Sequence, residues 1–574
     1  MGSLDIPFYD VLVAGAGLSG VCSLHHIRQR FPDWRVACIE AGPSVGGTWW
    51  FNRYPGARVD SESIAYAYSF DKSVINEWNW SETFASQPEI MRYIDFVVDK
   101  NDLKKYIQFN KRIRSAVWQG DSDSTDSKYN RTWLLTDDQG EVYRTRFLVT
   151  CIGFLSAPTA PAIAGLDTFA GDAFHTSRWP AHLADLGKDG GALAGKRVGV
   201  IGTGASGIQT ITALSKLPGI QSVHVFQRTA NWSAPLRNEP ITPERMAEIR
   251  KSYDDIFALC ETTPGGFIHA PDKRKTADVS DEERNALYEQ RYSEPGFAKW
   301  IALFSDTYSD RTANDLYSKF MADKIRARVN DPEVAESLIP KNHGIGTRRL
   351  PLESGYFEAY NQPHVHLVDL KKTPLQHATP RGLVTSDGTE YPLDVLIYAT
   401  GFSAITGAFA DIDWRGENGR ALLGYSEDAG ADAGAKKTEE AAWVDHRPRT
   451  FLGTTVPGMP NLLMVMGPHQ PFGNGTRNIE HSVNLVCDIL QHCKDNGHTY
   501  IEPTETAVDA WTQHVTDCSK GSLINEIDSW MTGVNRNVKG RTVRTVARYA
   551  GSAVDFRERC EAVRSAGWEG LQFQ

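Results

Sequence analysis

The first part of this chain contains the stretch Tyr9-Asp-Val-Leu-Val-Ala-Gly15-Ala-Gly17-Leu-Ser-Gly20, which predicts its fold. An apolar run enters a turn with the spacing Gly-x-Gly-x-x-Gly, and a helical pattern follows. Such a unit presents the free N–H groups of a helix start to the pyrophosphate of a dinucleotide. The next apolar run ends at Glu40, about twenty positions on, where an acidic side chain holds ribose hydroxyls. Gly15, Gly17, Gly20 and Glu40 are therefore predicted to bind one dinucleotide.

The same pattern returns at Lys196-Arg-Val-Gly-Val-Ile-Gly202-Thr-Gly204-Ala-Ser-Gly207, which predicts a second dinucleotide site. The strand after it ends in Gln227-Arg228, where an NAD site has an acidic residue. Arginine pairs with the phosphate that distinguishes NADP from NAD, and a carboxylate repels that phosphate. We therefore expect NADPH here. The predicted contacts are Gly202, Thr203, Gly204, Ala205, Ser206, Gly207, Gln209, Arg228 and Thr229.

Composition limits the class of protein. A chain of 574 residues is too long for one core and predicts two or three domains. Its net charge of −10 argues against a nucleic-acid partner, which would need a basic surface. The first residues lack a basic region followed by an apolar run, and no apolar run approaches the ~20 residues of a membrane helix. We expect a cytoplasmic protein with no membrane contact.

The eight cysteines are scattered and include no Cys-x-x-Cys pair. Reduced thiols are expected rather than disulfides or a metal site. The same absence argues against a disulfide reductase, because that class needs a redox-active cysteine pair beside its flavin.

Two further stretches carry a family resemblance. The first is Gly46-Gly47-Thr48-Trp49, continuing through Tyr54-Pro55-Gly56 to Asp60; the second is Phe169-Ala-Gly-Asp-Ala-Phe-His175-Thr-Ser-Arg-Trp179-Pro180. Both resemble the signatures of type I Baeyer–Villiger monooxygenases. In related flavin monooxygenases that oxidise nitrogen or sulfur, the last aromatic of the second signature is usually Tyr or Phe without the proline, so Trp179-Pro180 favours the Baeyer–Villiger branch.

The resemblance implies an α/β fold with two Rossmann-like domains, for FAD and NADP, and a helical insertion. Residues 1–155 and 393–574 would form the FAD domain, and residues 156–234 and 346–392 the NADP domain. Residues 235–345 would form the inserted helical subdomain. The strand within residues 393–402 would return the chain to the FAD domain, and residues 426–442 would form a surface loop.

The implied activity is the oxidation of a small-molecule ketone to an ester or lactone by NADPH and dioxygen. Reduced FAD would capture dioxygen, and the flavin peroxide, stabilised by Arg349 and bound NADP, would attack the carbonyl. Asp60 would position Arg349 through a charge-assisted hydrogen bond. Around the flavin the resemblance places Gly47, Thr48, Trp49, Asp60, Tyr66, Ile113 and Arg349, with Arg348 and Trp530 near NADP; Phe169, Gly171, His175, Trp179 and Pro180 would couple the domains.

Two alternatives stay open. One is a flavin monooxygenase that oxidises nitrogen or sulfur of small molecules, which would use both cofactor sites. The other is a nucleotide-binding module without catalysis, against which Asp60 and Arg349 argue. A monomer or weak homo-oligomer is expected. The residues do not decide whether the ketone is cyclic, linear or aromatic.

Overall fold

The structure is a computed structural model that describes residues 6–121, 129–187, 189–425, 440–538 and 541–574. Most of the surface loop predicted at residues 426–442 lies outside these ranges. Within them, no helix has the length and apolar character needed to cross a membrane.

The N-terminal part builds the first sheet. Its strand order is β17-β4-β5-β6-β1-β2-β3, in which β17 is Asp413–Arg415, and β20 (Leu462–Met464) also pairs with β6. The pairs of β1 with β2 and β6 are parallel, whereas β5 is antiparallel to both of its neighbours. The elements up to residue 150 are β1 (Phe8–Ala14), α1 (Leu18–Arg30), β2 (Val36–Ile39), α2 (Thr48–Phe51), α3 (Ser63–Tyr66), α4 (Lys72–Glu77), α5 (Gln87–Lys100), β3 (Ile107–Gln108), β4 (Ile113–Gln119), β5 (Thr132–Asp137) and β6 (Val142–Thr150).

The second sheet is parallel throughout, in the order β12-β9-β8-β16-β7. A three-stranded antiparallel sheet, β13-β14-β15, precedes its strand β16 in the chain. The elements are β7 (Asp172–His175), β8 (Arg197–Ile201), α6 (Ala205–Ser215), β9 (Ser222–Gln227), then α13 (Tyr356–Ala359), β12 (Val365–Asp369), β13 (Leu375–Thr379), β14 (Gly382–Thr385), β15 (Glu390–Pro392) and β16 (Val395–Tyr398). The prediction of two dinucleotide-binding domains is confirmed.

Strand β16 requires a correction. We expected it to return the chain to the first domain, but it lies inside the second sheet between β8 and β7. All four of its residues are buried, so its apolar sequence suits an inner strand of either sheet. The chain rejoins the first sheet later, at β17 and β20.

The segment between the two parts of the second sheet is mainly helical, as predicted for residues 235–345. Several of its helices begin at a residue whose side chain accepts a hydrogen bond from a free N–H group of the first turn. These N-cap residues are Thr242, Ser280, Asp310 and Asp331. The elements are β10 (Ala234–Pro235), α7 (Pro243–Lys251), α8 (Tyr253–Thr262), α9 (Asp281–Ser293), α10 (Ala298–Ile301), α11 (Arg311–Arg326), α12 (Pro332–Leu338) and β11 (Leu352–Glu353).

The C-terminal part returns to the first sheet and covers it. The long helix α15 packs on α1 beside the first glycine turn. The elements are α14 (Gly407–Ala410), β17 (Asp413–Arg415), β18 (Leu423–Gly424), β19 (Trp443–Val444), β20 (Leu462–Met464), α15 (Gly475–Asn496), β21 (Ile501–Pro503), α16 (Glu505–Ser519), α17 (Ala553–Ser565) and β22 (Leu571–Phe573). All eight cysteines are free in the structure, and seven of them are buried.

Buried histidines make this fold sensitive to acid. Burial, helped in several cases by neighbouring arginines, lowers their pKa values: to about 3 for one and about 4 for the others. They are therefore neutral in the folded protein at pH 5.5 and largely protonated in the unfolded chain, whose histidine pKa is about 6.5. The histidines with these lowered pKa values are His26, His175, His224, His343, His446, His469 and His481.

We expect the melting temperature to fall by several degrees between pH 7.5 and pH 5.5. The unfolded chain binds more protons than the folded one below about pH 6.5, so stability is full above that value and declines as the pH falls toward 4. Carboxyl groups contribute little until lower pH. Scanning calorimetry in matched ionic strength measures the effect, and an unchanged melting temperature over this range would contradict it.

Candidate active site

The first glycine turn joins β1 to α1 in a conformation that needs glycine. Gly15 has a φ of +102°, and a Cβ there would lie 2.5 Å from the Cys151 carbonyl oxygen. A Cβ on Gly20 would lie 1.7 Å from the Gly15 carbonyl oxygen. The start of α1 at Gly17 has no side-chain cap, so its first N–H groups remain available to a phosphate.

The Glu40 carboxylate is bonded to the backbone of this turn and to that of Gly42. It accepts hydrogen bonds of 2.6 Å from the N–H groups of Ala16 and Gly42. Burial raises the pKa of Glu40 above its ordinary value, and the two backbone donors oppose that rise. Each oxygen keeps a further lone pair, which suits the carboxylate to ribose hydroxyls.

The second turn repeats this construction between β8 and α6. Gly202 has a φ of +104° beside the Ala399 carbonyl, and a Cβ on Gly207 would lie 2.3 Å from the Gly202 carbonyl oxygen. Gly204 differs, because a Cβ there would meet no protein atom within 4 Å, and α6 has no side-chain cap. The Thr203 hydroxyl donates to the Thr229 carbonyl at 2.9 Å, which ties the turn to the end of β9.

The loop predicted to cover the flavin folds back on the first turn. Gly47 has a φ of +49°, and a Cβ there would lie 2.9 Å from Cα of Gly17. The Trp49 indole N–H donates to the Tyr66 hydroxyl at 3.1 Å. Burial raises the pKa of Tyr66 to about 12, so its hydroxyl stays protonated. The two predicted residues Trp49 and Tyr66 therefore form one wall.

The predicted catalytic pair is in direct contact. Nη1 of Arg349 donates to Oδ2 of Asp60 at 2.5 Å. The Asp60 side chain is 3% exposed and that of Arg349 is 29% exposed, so the guanidinium keeps an open side. The Leu352 N–H also points to Asp60 Oδ2, at 3.3 Å, and the Phe297 ring lies 5.6 Å from the guanidinium.

Helix α6 of the second domain reaches the same carboxylate. Nε2 of Gln209 lies 3.4 Å from Asp60 Oδ1, and its Oε1 accepts a 2.8 Å hydrogen bond from the Tyr54 hydroxyl. Gly56 lets the helix approach, since a Cβ there would lie 2.7 Å from the Gln209 carbonyl oxygen. Gln209, predicted as a cofactor contact, thus touches the flavin loop, and its partner Tyr54 belongs to the first signature, which assigned Tyr54 no role.

Three arginines from separate segments share one region. Burial lowers the pKa of Arg348, and the charges of Arg228 and Arg536 lower it further. Burial and Arg536 likewise lower the pKa of Arg228. Nε of Arg348 is buried without a partner among the described residues, while Nη2 donates to the Asp528 carbonyl at 2.8 Å. Burial and mutual repulsion disfavour three cations in one region, and the charges of a bound phosphate would offset both effects. Sequence reasoning missed Arg536.

The second signature is anchored to the chain segments that connect the two sheets. His175 Nδ1 accepts from the Ser177 N–H at 3.1 Å, so Nε2 carries the proton and donates to the Gly401 carbonyl at 3.0 Å. The Trp179 indole donates to the Leu183 carbonyl at 3.0 Å. A Cβ on Gly171 would lie 2.4 Å from the Asp394 carbonyl oxygen and 2.7 Å from the Phe169 ring, and Pro180 leads into a short helical turn.

An apolar wall formed by Phe154, Phe472 and Trp530 packs near the segment that follows Gly401. The Phe154 and Phe472 rings stack with centroids 4.5 Å apart, and Phe472 and Trp530 pack on Ala404, Ile405 and Ala547. Trp530 lies in a helical turn, Trp530–Thr532. Ile113 is buried at the start of β4 opposite Asp137, in one apolar cluster with Ala14 and Ile39, which directly precede Gly15 and Glu40.

The comparisons with known proteins agree with this arrangement. Residues 9–243 match the family described as flavin-binding monooxygenase-like. The chain is 40% identical to 2-oxo-Δ3-4,5,5-trimethylcyclopentenylacetyl-CoA monooxygenase of Pseudomonas putida, over 99% of this chain and 98% of that protein. It is 32% identical to a Baeyer–Villiger monooxygenase of Pseudooceanicola batsensis, over 98% of this chain and 96% of the other. The chain belongs to the type I Baeyer–Villiger monooxygenases.

Two further similarities bear on cofactor and reaction. The crystal structure of OTEMO complexed with FAD and NADP matches with a TM-score of 0.88 and 40% identity, over 99% of this chain and 100% of that one. A phenazine N-monooxygenase of Lysobacter antibioticus is 34% identical over 99% of this chain and 97% of that protein. FAD and NADP are the cofactors of this chain, and its activity is Baeyer–Villiger oxidation of ketones.

Arg536 can be tested as an NADP contact. We expect Arg536→Gln to raise the KM for NADPH about tenfold or more, because a hydrogen bond to a charged group contributes about 1.5–3 kcal/mol. The KM for NADH, which lacks the phosphate, should change little. Steady-state oxidation of both cofactors measures the difference.

Arg311→Gln is the control, since Arg311 is 69% exposed and pairs with Glu526 on the surface. Equal losses with NADPH and NADH in Arg536→Gln would contradict the assignment.

Proposed function

We propose that Arg349 is the catalytic cation and Asp60 its positioning partner in the oxidation of a ketone to an ester or lactone. The observation that carries this proposal is the buried Asp60 carboxylate bonded to a guanidinium that keeps an open side. FAD, reduced by NADPH, supplies the oxygen-transfer chemistry when bound. The chain itself supplies binding, orientation and electrostatic stabilisation.

Arg349 would stabilise the negative charge that develops on the ketone oxygen. A fixed donor aimed at such a charge in a site shielded from water needs no reorganisation during the reaction. Asp60 holds the guanidinium through one nitrogen, which leaves its other N–H groups free to donate. Gln209 holds the second oxygen of Asp60 and thereby links the position of α6 to that of Arg349.

The substrate class can be narrowed. The relative from Pseudomonas putida is named for a cyclic ketone carried on CoA, and the wall of Phe154, Phe472 and Trp530 suits an apolar ring. Arg548 directly follows Ala547 of that wall and, among the described residues, has no hydrogen bond, ion pair or ring contact. Burial lowers its pKa. We propose that the substrate is a cyclic ketone with an anionic substituent that pairs with Arg548.

The reaction itself is tested by product analysis under labelled dioxygen. One labelled oxygen atom in an ester or lactone, with one NADPH consumed for each, supports the proposal. An N-oxide or S-oxide as the main product, from matched amine or sulfide substrates, would favour the alternative that the phenazine N-monooxygenase represents.

Arg349→Ala is expected to retain FAD and to lower the rate of ester formation by at least about 100-fold. Loss of one donor to a developing oxyanion costs about 2.7–4 kcal/mol. Flavin content and product formation measure the two properties separately. Arg349→Lys is the matched variant: it retains the charge and loses the planar fork, so it should recover part of the rate. Near-normal ester formation in Arg349→Ala would exclude the assigned role.

Arg548→Met is expected to lower the preference for an anionic ketone. The ratio of kcat/KM for a cyclic keto acid to that for the neutral ketone of the same ring should fall about tenfold or more. Arg564→Met is the control, because Arg564 is 48% exposed on α17. An unchanged ratio would overturn the substrate proposal and leave the ketone oxidation intact.

A further inference from the structure

Four polar side chains meet where α16 and α17 pack together. His514 and Cys518 lie one helical turn apart on α16, and Asp555 lies in the first turn of α17. Tyr549, just before α17, places its hydroxyl between them. None of these residues belongs to the site described above.

The distances among the three possible metal ligands are short. His514 Nε2 is 3.4 Å from Cys518 Sγ and 3.8 Å from Asp555 Oδ2. One ligand atom from each residue lies within 4.8 Å of the other two. In tetrahedral coordination, metal–ligand bonds of about 2.0–2.3 Å place neighbouring ligand atoms roughly 3.3–3.8 Å apart. The cluster therefore already has nearly the spacing that a tetrahedral ion requires.

We propose that His514, Cys518 and Asp555 form a binding site for a thiophilic divalent cation, for which Zn²⁺ is the best match. One nitrogen, one sulfur and one oxygen ligand suit zinc, whereas magnesium and calcium prefer oxygen ligands alone. Water or the Tyr549 hydroxyl completes the coordination. The His514 side chain is 23% exposed and that of Asp555 38% exposed, so an ion can enter from solvent.

The hydrogen bonds of the cluster show which protons binding must move. Tyr549 donates to Asp555, so the 2.8 Å contact of His514 Nε2 with Tyr549 is a donation to the hydroxyl oxygen. On binding, the imidazole proton moves to Nδ1, and the Cys518 thiol releases its proton to water.

Arg559 does not block the site. Its Nε lies 3.2 Å from Oδ1 and 3.0 Å from Oδ2 of Asp555, and its side chain is 46% exposed. It can retain Oδ1 while Oδ2 turns to the ion, which is the arrangement by which outer partners commonly orient a ligating carboxylate. The sequence did not predict this site because its ligands are a His-x-x-x-Cys pair and an aspartate 37 residues later.

The experiment is a Co²⁺ titration of the full-length, FAD-containing protein. We expect one Co²⁺ per chain, a thiolate-to-cobalt charge-transfer band in the difference spectrum, and displacement by Zn²⁺. Cys518→Ser should abolish that band and weaken Zn²⁺ binding, measured by competition with a chromogenic chelator, about tenfold or more. Even loss of an outer partner of a metal ligand costs 10- to 100-fold in affinity.

Asp555→Asn should also weaken Zn²⁺ binding, whereas Asp509→Asn, at an exposed position of α16, should not. Flavin content and melting temperature show whether each variant is folded. The wild-type spectrum tests the proposal even if a variant fails to fold. The absence of a thiolate band in wild type, or equal Zn²⁺ affinity in wild type and Cys518→Ser, would overturn the site.

Discussion

The buried carboxylate of Asp60 constrains how the two domains of this protein meet. A carboxylate with only 3% of its side chain exposed needs charge-assisted partners, and its own loop does not supply the cation. Arg349 comes from the segment after the helical insertion, and Gln209 from the first helix of the second domain. Removing one member of a buried ion pair typically costs about 3–5 kcal/mol. The same contacts therefore join the two domains and hold Arg349 beside Asp60, so we expect the docking of the domains to be coupled to the assembly of the proposed active site.

The connections between the domains are held by their own contacts. The Thr159 N–H and the His175 imidazole both donate to the Gly401 carbonyl at 3.0 Å. The segment that enters the second sheet and the segment that leaves it after β16 therefore share one hydrogen-bond acceptor. Because His175 ends β7 at the edge of the second sheet, a shift of that sheet would change this bond directly. This geometry is compatible with the predicted coupling role of the second signature.

The parts of the fold that the sequence predicted are those with local physical causes. Gly15 and Gly202 occupy left-handed backbone conformations against a neighbouring carbonyl, and only glycine fits there without strain. The sequence of β16 did not show which sheet the strand joins, because an inner strand of a parallel sheet has the same continuous apolar pattern in either sheet. Asp60 and Arg349 were found through a family resemblance. Arg536 and the cluster of His514, Cys518 and Asp555 depend on distant segments that meet only after folding, and so does the contact of Tyr54 with Gln209.

If Asp60 acts through Arg349, the effects of substituting the two residues are not independent, and a double-mutant cycle measures this. The rate of ester formation at saturating NADPH would be measured for wild type, Asp60→Asn, Arg349→Ala and the double variant. We expect strong non-additivity, with an interaction energy of about 1.5 kcal/mol or more, because each substitution removes the same contact. Additivity within about 0.5 kcal/mol would contradict it and would show that the two residues serve catalysis independently.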